Sequence, residues 1–231
     1  MGSFAVVPIT KVARFHAHAR IAVTPEDRLA AFRLRYDVYV DEQGKPYPDA
    51  SHDNRLLSDE LDADGDIIVV ETNEAIVGTV RANCFSSPLT RGRYAHVFDL
   101  NRFHAIEMGS IVVCSRLAAS AEHRHAVARE LLFDSIYEHR LTRNTKLCFA
   151  TCAPTLARLF RRYGFREYAS PFRDPIVGTL HRTVLVLDDV EYLARIRSPF
   201  AQIAHRHAIS AVARPWLIKI FDEYKARHGE R

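Results

Sequence analysis

At 231 residues, 48% hydrophobic and 26% charged with no excess of glycine or proline, the chain has an ordinary soluble globular composition. It is long enough for one domain with a full core, or for one domain carrying an appendage. A net charge of +4 is too small for a duplex-binding surface, which needs a concentrated basic face, so no nucleic-acid partner is expected; it leaves room for a local basic patch facing an acidic partner. No run of eighteen apolar residues occurs, and the opening MGSFAVVPITKVARF lacks the continuous apolar core of a secretory signal. No membrane span is expected, and a cytoplasmic location is the default.

The first predicted element is a half-exposed strand over residues 12–23, where Val12, Arg14, His16, His18 and Arg20 alternate with small or apolar residues. Thr24-Pro25-Glu26-Asp27 then supplies an N-cap, a proline at the first helical position and acids in the first turn, so a helix is predicted from Pro25 to about Val40, stopping near Gly44. A turn-rich link follows, with a second short helix expected over 53–60. DIIVVE at 66–71 reads as a buried strand and residues 75–84 as its hairpin partner.

Residues 85–103 lack clear periodicity and suggest a loop with a short helix near Val97–Phe103. The segment 106–118 is the most strand-like in the chain, and Gly109 within it suggests a bend or bulge. A long amphipathic helix is predicted over 121–142, with Val127, Leu131, Leu132, Ser135, Ile136 and His139 on one stripe. A strand at 146–151, a helix at 154–163, a turn at Gly164 and strands near 165–168 and 177–187 follow. The tail from Asp189 reads as helical, punctuated by Pro199 and Pro215. The alternation predicts a mixed sheet flanked by helices.

Cys84, Cys114, Cys148 and Cys152 sit in apolar stretches without paired metal-binding spacing, which reads as buried free thiols in a reducing compartment. Three His-x-His pairs occur, 16/18, 123/125 and 205/207, but alternate residues share a face only on a strand. Only His16 and His18 are expected to point together, and no metal site is expected.

The order of elements resembles the GNAT acyltransferase fold, and two motifs carry the likeness. The first, CSRLAAS followed by AEHRHAVARELL at 114–132, places a strand end directly before a helix N-terminus. In that fold the bulged strand pairs with the pantetheine arm of an acyl donor, and the amides at the helix start face its phosphates. The resemblance therefore implies donor-binding roles for Leu117, Ala118, Ala119, His123, Arg124, Ala126, Val127, Ala128 and Arg129. The family's Arg/Gln-x-x-Gly-x-Gly/Ala pattern falls on His123, Ala126 and Ala128, without the leading Arg/Gln and the first glycine, which lets phosphate oxygens approach the backbone. A donor on acyl carrier protein has a single phosphate at its attachment point and needs less of that cradle, so carrier protein stands beside acyl-CoA as the implied donor. The plain alternative is a helix that starts with alanines for packing.

The second motif, APTLARLFRRYGF at 153–165, resembles the GNAT helix that ends in Gly-Phe. Its usual thiolate-protonating tyrosine falls on Phe160, which carries no proton, and Tyr163 reads as a packing residue.

Within this superfamily the first half of the chain resembles the autoinducer (acyl-homoserine-lactone) synthases and the related long-chain N-acyl amino acid synthases. Their order of an arginine and an aromatic on the first helix, two acids, then an arginine on the hairpin recurs here as Arg35 and Tyr39, Asp59 and Asp62, and Arg81. SRLAAS at 115–120 extends the likeness to Arg116. Two departures stand out: the tryptophan expected shortly after Gly44 is absent, and Val113 replaces a glutamate three residues before the strand arginine.

The resemblance implies an α/β (mixed α+β) GNAT domain over residues 1–188, a central mixed sheet flanked by helices. Residues 189–231 are then a helical extension packed on the domain or on a partner chain. It implies transfer of an acyl group from a phosphopantetheine thioester, on acyl carrier protein or CoA, to the amine of an amino-acid-like acceptor. Asp59, Asp62 and Glu107 are the candidates for orienting or deprotonating the amine. Arg33, Arg35, Tyr39, Arg81 and Arg116 are candidates for binding the acceptor. Arg124, Arg129, Arg158, Arg161 and Arg162 are candidates for meeting an acidic carrier protein. The alternatives are an acetyl-CoA-dependent N-acetyltransferase and a catalytically silent thioester-binding module. Each charged residue also has a structural reading, with Arg33 and Arg35 clamping the first helix to Asp59 or Asp62 through surface pairs of small energetic weight.

Overall fold

The computed structural model describes residues 17–124 and 127–229, and of 127–129 the backbone alone. In chain order the elements are β1 (His18–Ile21), α1 (Pro25–Tyr36), which continues as a π-helical segment over Asp37–Glu42, β2 (Ala50–Ser51), β3 (Leu56–Leu57), α2 (Leu61–Asp64), β4 (Asp66–Glu71) and β5 (Ile76–Cys84). Next come α3 (Pro88–Tyr94), 3-10 turns at Leu100–Phe103 and Met108–Ser110, β6 (Ile111–Ala119), α4 (Val127–Thr142) and β7 (Leu147–Cys152). A 3-10 turn at Pro154–Leu156 leads into α5 (Ala157–Tyr163), and β8 (Arg166–Asp174), β9 (Gly178–Val186), α6 (Val190–Arg195), α7 (Phe200–Arg206) and α8 (Pro215–His228) complete the chain.

The main strands follow the order β1-β4-β5-β6-β7-β9-β8. The β1–β4, β4–β5, β7–β9 and β8–β9 ladders are antiparallel and β6–β7 is parallel, the mixed sheet that the alternation of elements predicts. The described residues divide into two compact units, one within Met1–Ala82 and Arg116–Ile136, the other within Asn83–Ser115 and Tyr137–Arg231. The division runs through β5 and β6 themselves.

In the first unit, Thr24 caps α1 as its sequence dictates. Its hydroxyl accepts from the Asp27 amide at 3.1 Å, the Asp27 carboxylate accepts from the Thr24 amide at 3.3 Å, and Pro25 occupies the first turn. The same carboxylate takes Arg20 of β1 at 2.6 and 2.7 Å, tying strand to helix. A small apolar core of Ala22, Ala31, Ile67 and Val69 joins α1 to β1 and β4. Gly78 of β5 permits the packing of α4, because a Cβ there would stand 3.0 Å from Leu132 Cδ1 and 3.3 Å from Val70 Cβ.

The second unit is built around edge-to-face aromatics. Phe103 meets Phe149 at 4.8 Å and Tyr168 at 5.1 Å, with Phe85, Phe98, Leu217 and Phe221 completing the cluster. Tyr168 is buried and its hydroxyl donates to the Phe98 carbonyl at 2.8 Å. Tyr137 stacks on Phe200 at 4.3 Å, so α7 and α8 both pack within this unit. Gly164 ends α5 with φ +106, and a Cβ there would come within 2.5 Å of Leu193 Cδ2. Phe160 and Tyr163 are both buried, Phe160 against Phe165 at 5.1 Å and Tyr163 against Phe200 at 5.0 Å.

Several expectations are corrected. The helix expected over 53–60 is replaced by the β2–β3 hairpin, with Ala50 opposite Leu57, Ser51 opposite Leu56 and Arg55 at φ +53. The long strand begins at Ile111, not Ile106, because Met108–Ser110 closes a 3-10 turn that contains Gly109. The long helix begins at Val127 rather than Ala121, since residues 121–124 form turns. The loop of 85–103 contains the additional helix α3, capped by Ser87 and started by Pro88. His16, His125 and the strand residues before Ala17 lie outside the described residues.

Candidate active site

The site residues of the first unit are placed by four elements. On α1, Arg35 is fully buried, whereas Arg33 is exposed on the outer face. The helix does not stop at Tyr36: the Gln43 amide bonds five residues back to Val38 at 3.2 Å, Gly44 turns with φ +62, and the Lys45 amide closes the segment six residues back on Tyr39 at 3.0 Å. Such π segments are wider than an α-helix and concentrate at functional sites. This one carries Tyr39, whose hydroxyl donates to the Leu117 carbonyl of β6 at 2.7 Å. Burial, and after it the neighbouring Tyr47, push the Tyr39 phenol above its ordinary value, so it is a hydrogen-bond donor throughout the working range.

At β6 the parallel ladder to β7 pairs Ile111–Cys114 with Leu147–Ala150 and goes no further. Two residues on, Arg116 has φ +56, a left-handed conformation unusual for a residue with a Cβ. The bend or bulge expected at Gly109 is met by the Met108–Ser110 turn, and the left-handed residue of β6 itself is Arg116. Its guanidinium takes the Asp59 carboxylate at 2.6 Å and lies 4.7 Å over the Tyr47 ring.

Asp59 and Asp62 flank the entry to α2 and accept from its backbone: Leu61 N–H to Asp59 at 3.0 Å, and Asp59 N–H to Asp62 at 2.9 Å. Arg35 holds Asp62 at 2.8 Å, Arg81 of β5 holds Asp62 at 3.0 Å and also hydrogen-bonds Asp59. Arg28 donates to the Asp62 carbonyl. Three guanidinium groups, those of Arg35, Arg81 and Arg116, thus meet around the two buried carboxylates. Asp49, more exposed, stands 3.9 Å from Arg116 at the rim.

The electrostatics follow from that packing. Burial works to raise the Asp59 carboxyl, but the hydrogen bonds and charges of Arg81 and Arg116 outweigh it and hold it at about 2. Burial pushes the Arg35 guanidinium below its ordinary value against the pull of Asp62, and its Nε and Nη2 have no hydrogen-bond partner among the described residues while the group lies over Phe32 at 5.2 Å. Of the three arginines, Arg35 and Arg81 are sealed and Arg116, with a side chain 12% exposed, reaches the rim. A surface clamp is thus replaced by a buried network, in which loss of one partner strands the others.

On the donor side, Ala118 is buried and Leu117 and Ala119 are half-buried on β6. His123 Nδ1 meets the Ser120 hydroxyl at 2.9 Å. Arg124 forms a two-pronged pair with Glu42 at the end of the π segment. Ala126 lies outside the described residues, as do the side chains of Val127, Ala128 and Arg129. In the second unit, Glu107 is exposed at the head of the turn that precedes β6, at the end of that strand opposite Leu117–Ala119. Arg158, Arg161 and Arg162 are exposed along α5.

Sequence reasoning missed Tyr47, Glu42, Asp49 and Arg28. Tyr47 had a signal: it is an aromatic three residues beyond Gly44, where only a tryptophan was sought. Among the described residues no three His, Cys, Asp or Glu side chains converge as metal ligands, and no helix is long and apolar enough to cross a membrane.

Solved structures of similar shape define the class. The N-acyl amino acid synthase FeeM from uncultured soil microbes matches with a TM-score of 0.61 at 17% identity, over 82% of this chain and 98% of that one. The CoA-dependent acyl-homoserine lactone synthase BjaI, solved with SAM and isopentyl-CoA, matches at 0.58 and 18% identity over 89% and 98%. An acyl-CoA N-acyltransferase from Pseudomonas aeruginosa matches at 0.54 and 16% over 74% and 99%. The fold is that of the GNAT acyltransferases.

No protein of curated function matches the chain by sequence. A family model, that of the N-acyl amino acid synthase FeeM, matches residues 30–187, and the chain belongs to that family. It is accordingly an N-acyltransferase.

Proposed function

We propose that this N-acyltransferase moves an acyl group from a phosphopantetheine thioester to the amine of an α-amino acid, whose carboxylate is received by Arg116. The supporting observation is the buried Arg35–Asp62–Arg81–Asp59–Arg116 network, which brings only the Arg116 guanidinium to the rim. In this reading Arg35, Arg81, Asp59 and Asp62 are positioning residues. They fix the Arg116 fork, and planar bidentate recognition of a carboxylate suits arginine. Asp59, held ionised at about 2 by Arg81 and Arg116 against the effect of burial, is too weak a base to take the amine proton. Asp62 has both carboxylate oxygens engaged. The neutral amine therefore comes from solution.

The amine nitrogen attacks the thioester carbonyl, and the backbone N–H groups of β6 beyond Arg116 stabilise the resulting oxyanion. Tyr39, by binding the Leu117 carbonyl, orients the peptide units that would present them. Loss of the nitrogen's extra proton to solvent and collapse of the intermediate form the amide and expel the thiolate, a good leaving group that departs without an acid; Phe160 occupies the family position of the tyrosine donor. Two features favour a donor on acyl carrier protein: Ala126 in place of the phosphate-loop glycine, and an Arg124 fork already engaged by Glu42. The CoA dependence of BjaI keeps acyl-CoA as the second donor to test.

The test follows thiol release from acyl carrier protein and acyl-CoA thioesters of several chain lengths, with a panel of amino acids and the corresponding decarboxylated amines. The expected result is turnover with amino acids and a strong preference over the matching amines, a preference lost in Arg116→Met. Binding of donors without any thiol release would overturn the enzymatic reading. An Arg116→Met enzyme that keeps the preference would overturn the carboxylate role alone.

A further inference from the structure

A cavity of about 330 Å³ lies within the second unit between the β8–β9 hairpin, the 99–102 turn and α8. Its far wall is α8, Pro215–His228, which falls outside the family match that ends at residue 187. The cavity is thus closed by a helix beyond the residues that the family model matches. Its volume is at the lower end of that of small-molecule sites, but its walls are charged where such sites are mainly apolar. Arginines 102, 182 and 227 line it together with Asp99 and Glu223, and two histidines complete the set. An acyl chain does not suit such walls.

The charges are not evenly matched. Arg102 has Asp99 at 2.6 Å, and Arg227 has Glu223 at 3.6 Å. Among the described residues Arg182 has no carboxylate partner. It is fixed instead by the Val97 carbonyl at 2.6 Å through Nε, by the Ser170 carbonyl at 2.7 Å through Nη1, and by the Phe172 ring at 4.9 Å, and its Nη2 has no protein partner among the described residues. A half-buried guanidinium oriented by two backbone carbonyls, with its outer nitrogen unused and no counter-ion, is a preformed receptor for an oxyanion. The opposite wall is pinned by His228, whose Nδ1 donates to the Tyr224 carbonyl at 3.0 Å while Nε2 stands 3.3 Å from the Ser170 hydroxyl.

We propose that this cavity binds a small anionic metabolite through a phosphate or carboxylate head, held by Arg182 with Arg102 beside it. The site is independent of the acyl-transfer reading, and its occupant secures α8 onto β8.

The test uses the full chain with sodium phosphate and sodium citrate as probes, and sodium chloride at matched ionic strength as the control. Calorimetric titration and thermal unfolding are followed for the wild type, Arg182→Met, Arg102→Met and, as a charge-matched control on exposed β8, Arg173→Met. One or both probes should bind saturably and raise the unfolding midpoint of wild type and Arg173→Met. Arg182→Met and Arg102→Met should each weaken that binding at least tenfold. Phosphate binding without citrate binding assigns a phosphate head, and the converse a carboxylate head. Arg102→Met, whose side chain is exposed, keeps the test valid should Arg182→Met fail to fold. No saturable binding by the wild type, or equal binding by wild type and a folded Arg102→Met, overturns the proposal.

Discussion

Replacing Asp59 with asparagine keeps the outline of the side chain and removes its charge, leaving three guanidinium groups facing one buried carboxylate. Breaking a buried ionic cluster by deleting one partner costs about 3–5 kcal/mol. For a chain of this size that lowers the unfolding midpoint by roughly 6–20 °C. The acid part of this loss can be isolated by pH. Burial raises the Asp59 carboxyl but Arg81 and Arg116 more than reverse it, from the ordinary 3.8 to about 2 in the folded protein. A carboxyl with a depressed folded value contributes stability above its unfolded value and loses it as pH falls through the folded one. The contribution is about 2 kcal/mol at pH 7, and about 1 kcal/mol of it has gone by pH 3. Urea unfolding of both proteins at pH 7, 5 and 3, followed by circular dichroism, should therefore show a gap that is constant from pH 7 to 5 and narrows by about 1 kcal/mol at pH 3. A gap that stays constant down to pH 3, or no gap at pH 7, would refute the assignment of Asp59 as a buried counter-charge.

Tyr39→Phe removes the hydrogen bond to Leu117 and should cost about 1 kcal/mol of stability; steady-state kinetics should show a fall in kcat with KM for the acceptor little changed. Glu107→Gln, at an exposed position, should leave kcat within about twofold, since a lost general base would cost roughly a hundredfold or more. Without a protein base, kcat/KM for the acceptor should rise about tenfold per pH unit below the acceptor's own amine pKa, and a plateau set by a group titrating near pH 6 would count against that route. Gly78→Ala presses a methyl against Leu132 and should destabilise the chain by about 1–3 kcal/mol, read as a shift in the urea midpoint with unchanged slope.

What could be read from the sequence was what local chemistry decides. Thr24-Pro25-Glu26-Asp27 announces α1, the β4–β5 hairpin follows from its apolar runs, and Gly164 marks the end of α5, all without reference to distant residues. The order Arg35, Tyr39, Asp59, Asp62, Arg81, Arg116 was equally visible in the chain, but its burial was not. A charged residue looks the same in sequence whether it is solvated or sealed, and Arg33 and Arg35 differ only in the face of α1 they occupy. The β2–β3 hairpin was hidden because its ladder is only two residues long on each side and its turn uses Arg55, not glycine, at positive φ. The left-handed residue of β6 was hidden for the same reason, since it is not a glycine. At Arg116 the strain is carried by long-range contacts with Asp59 and Tyr47, which no local pattern encodes.

The widened end of α1 bears on how this chain can change. A π segment is what one extra residue leaves inside a helix, so deleting a single residue from 40–42 would let the helix close into regular α geometry. Each residue of an α-helix advances its direction by about 100°. Such a deletion would leave Arg35 and Tyr39 in place and swing the Gly44 turn away, carrying Tyr47 off Arg116 and Glu42 off Arg124. One residue thus separates this arrangement from one in which Arg116 keeps Asp59 but loses its Tyr47 cover and Arg124 loses Glu42.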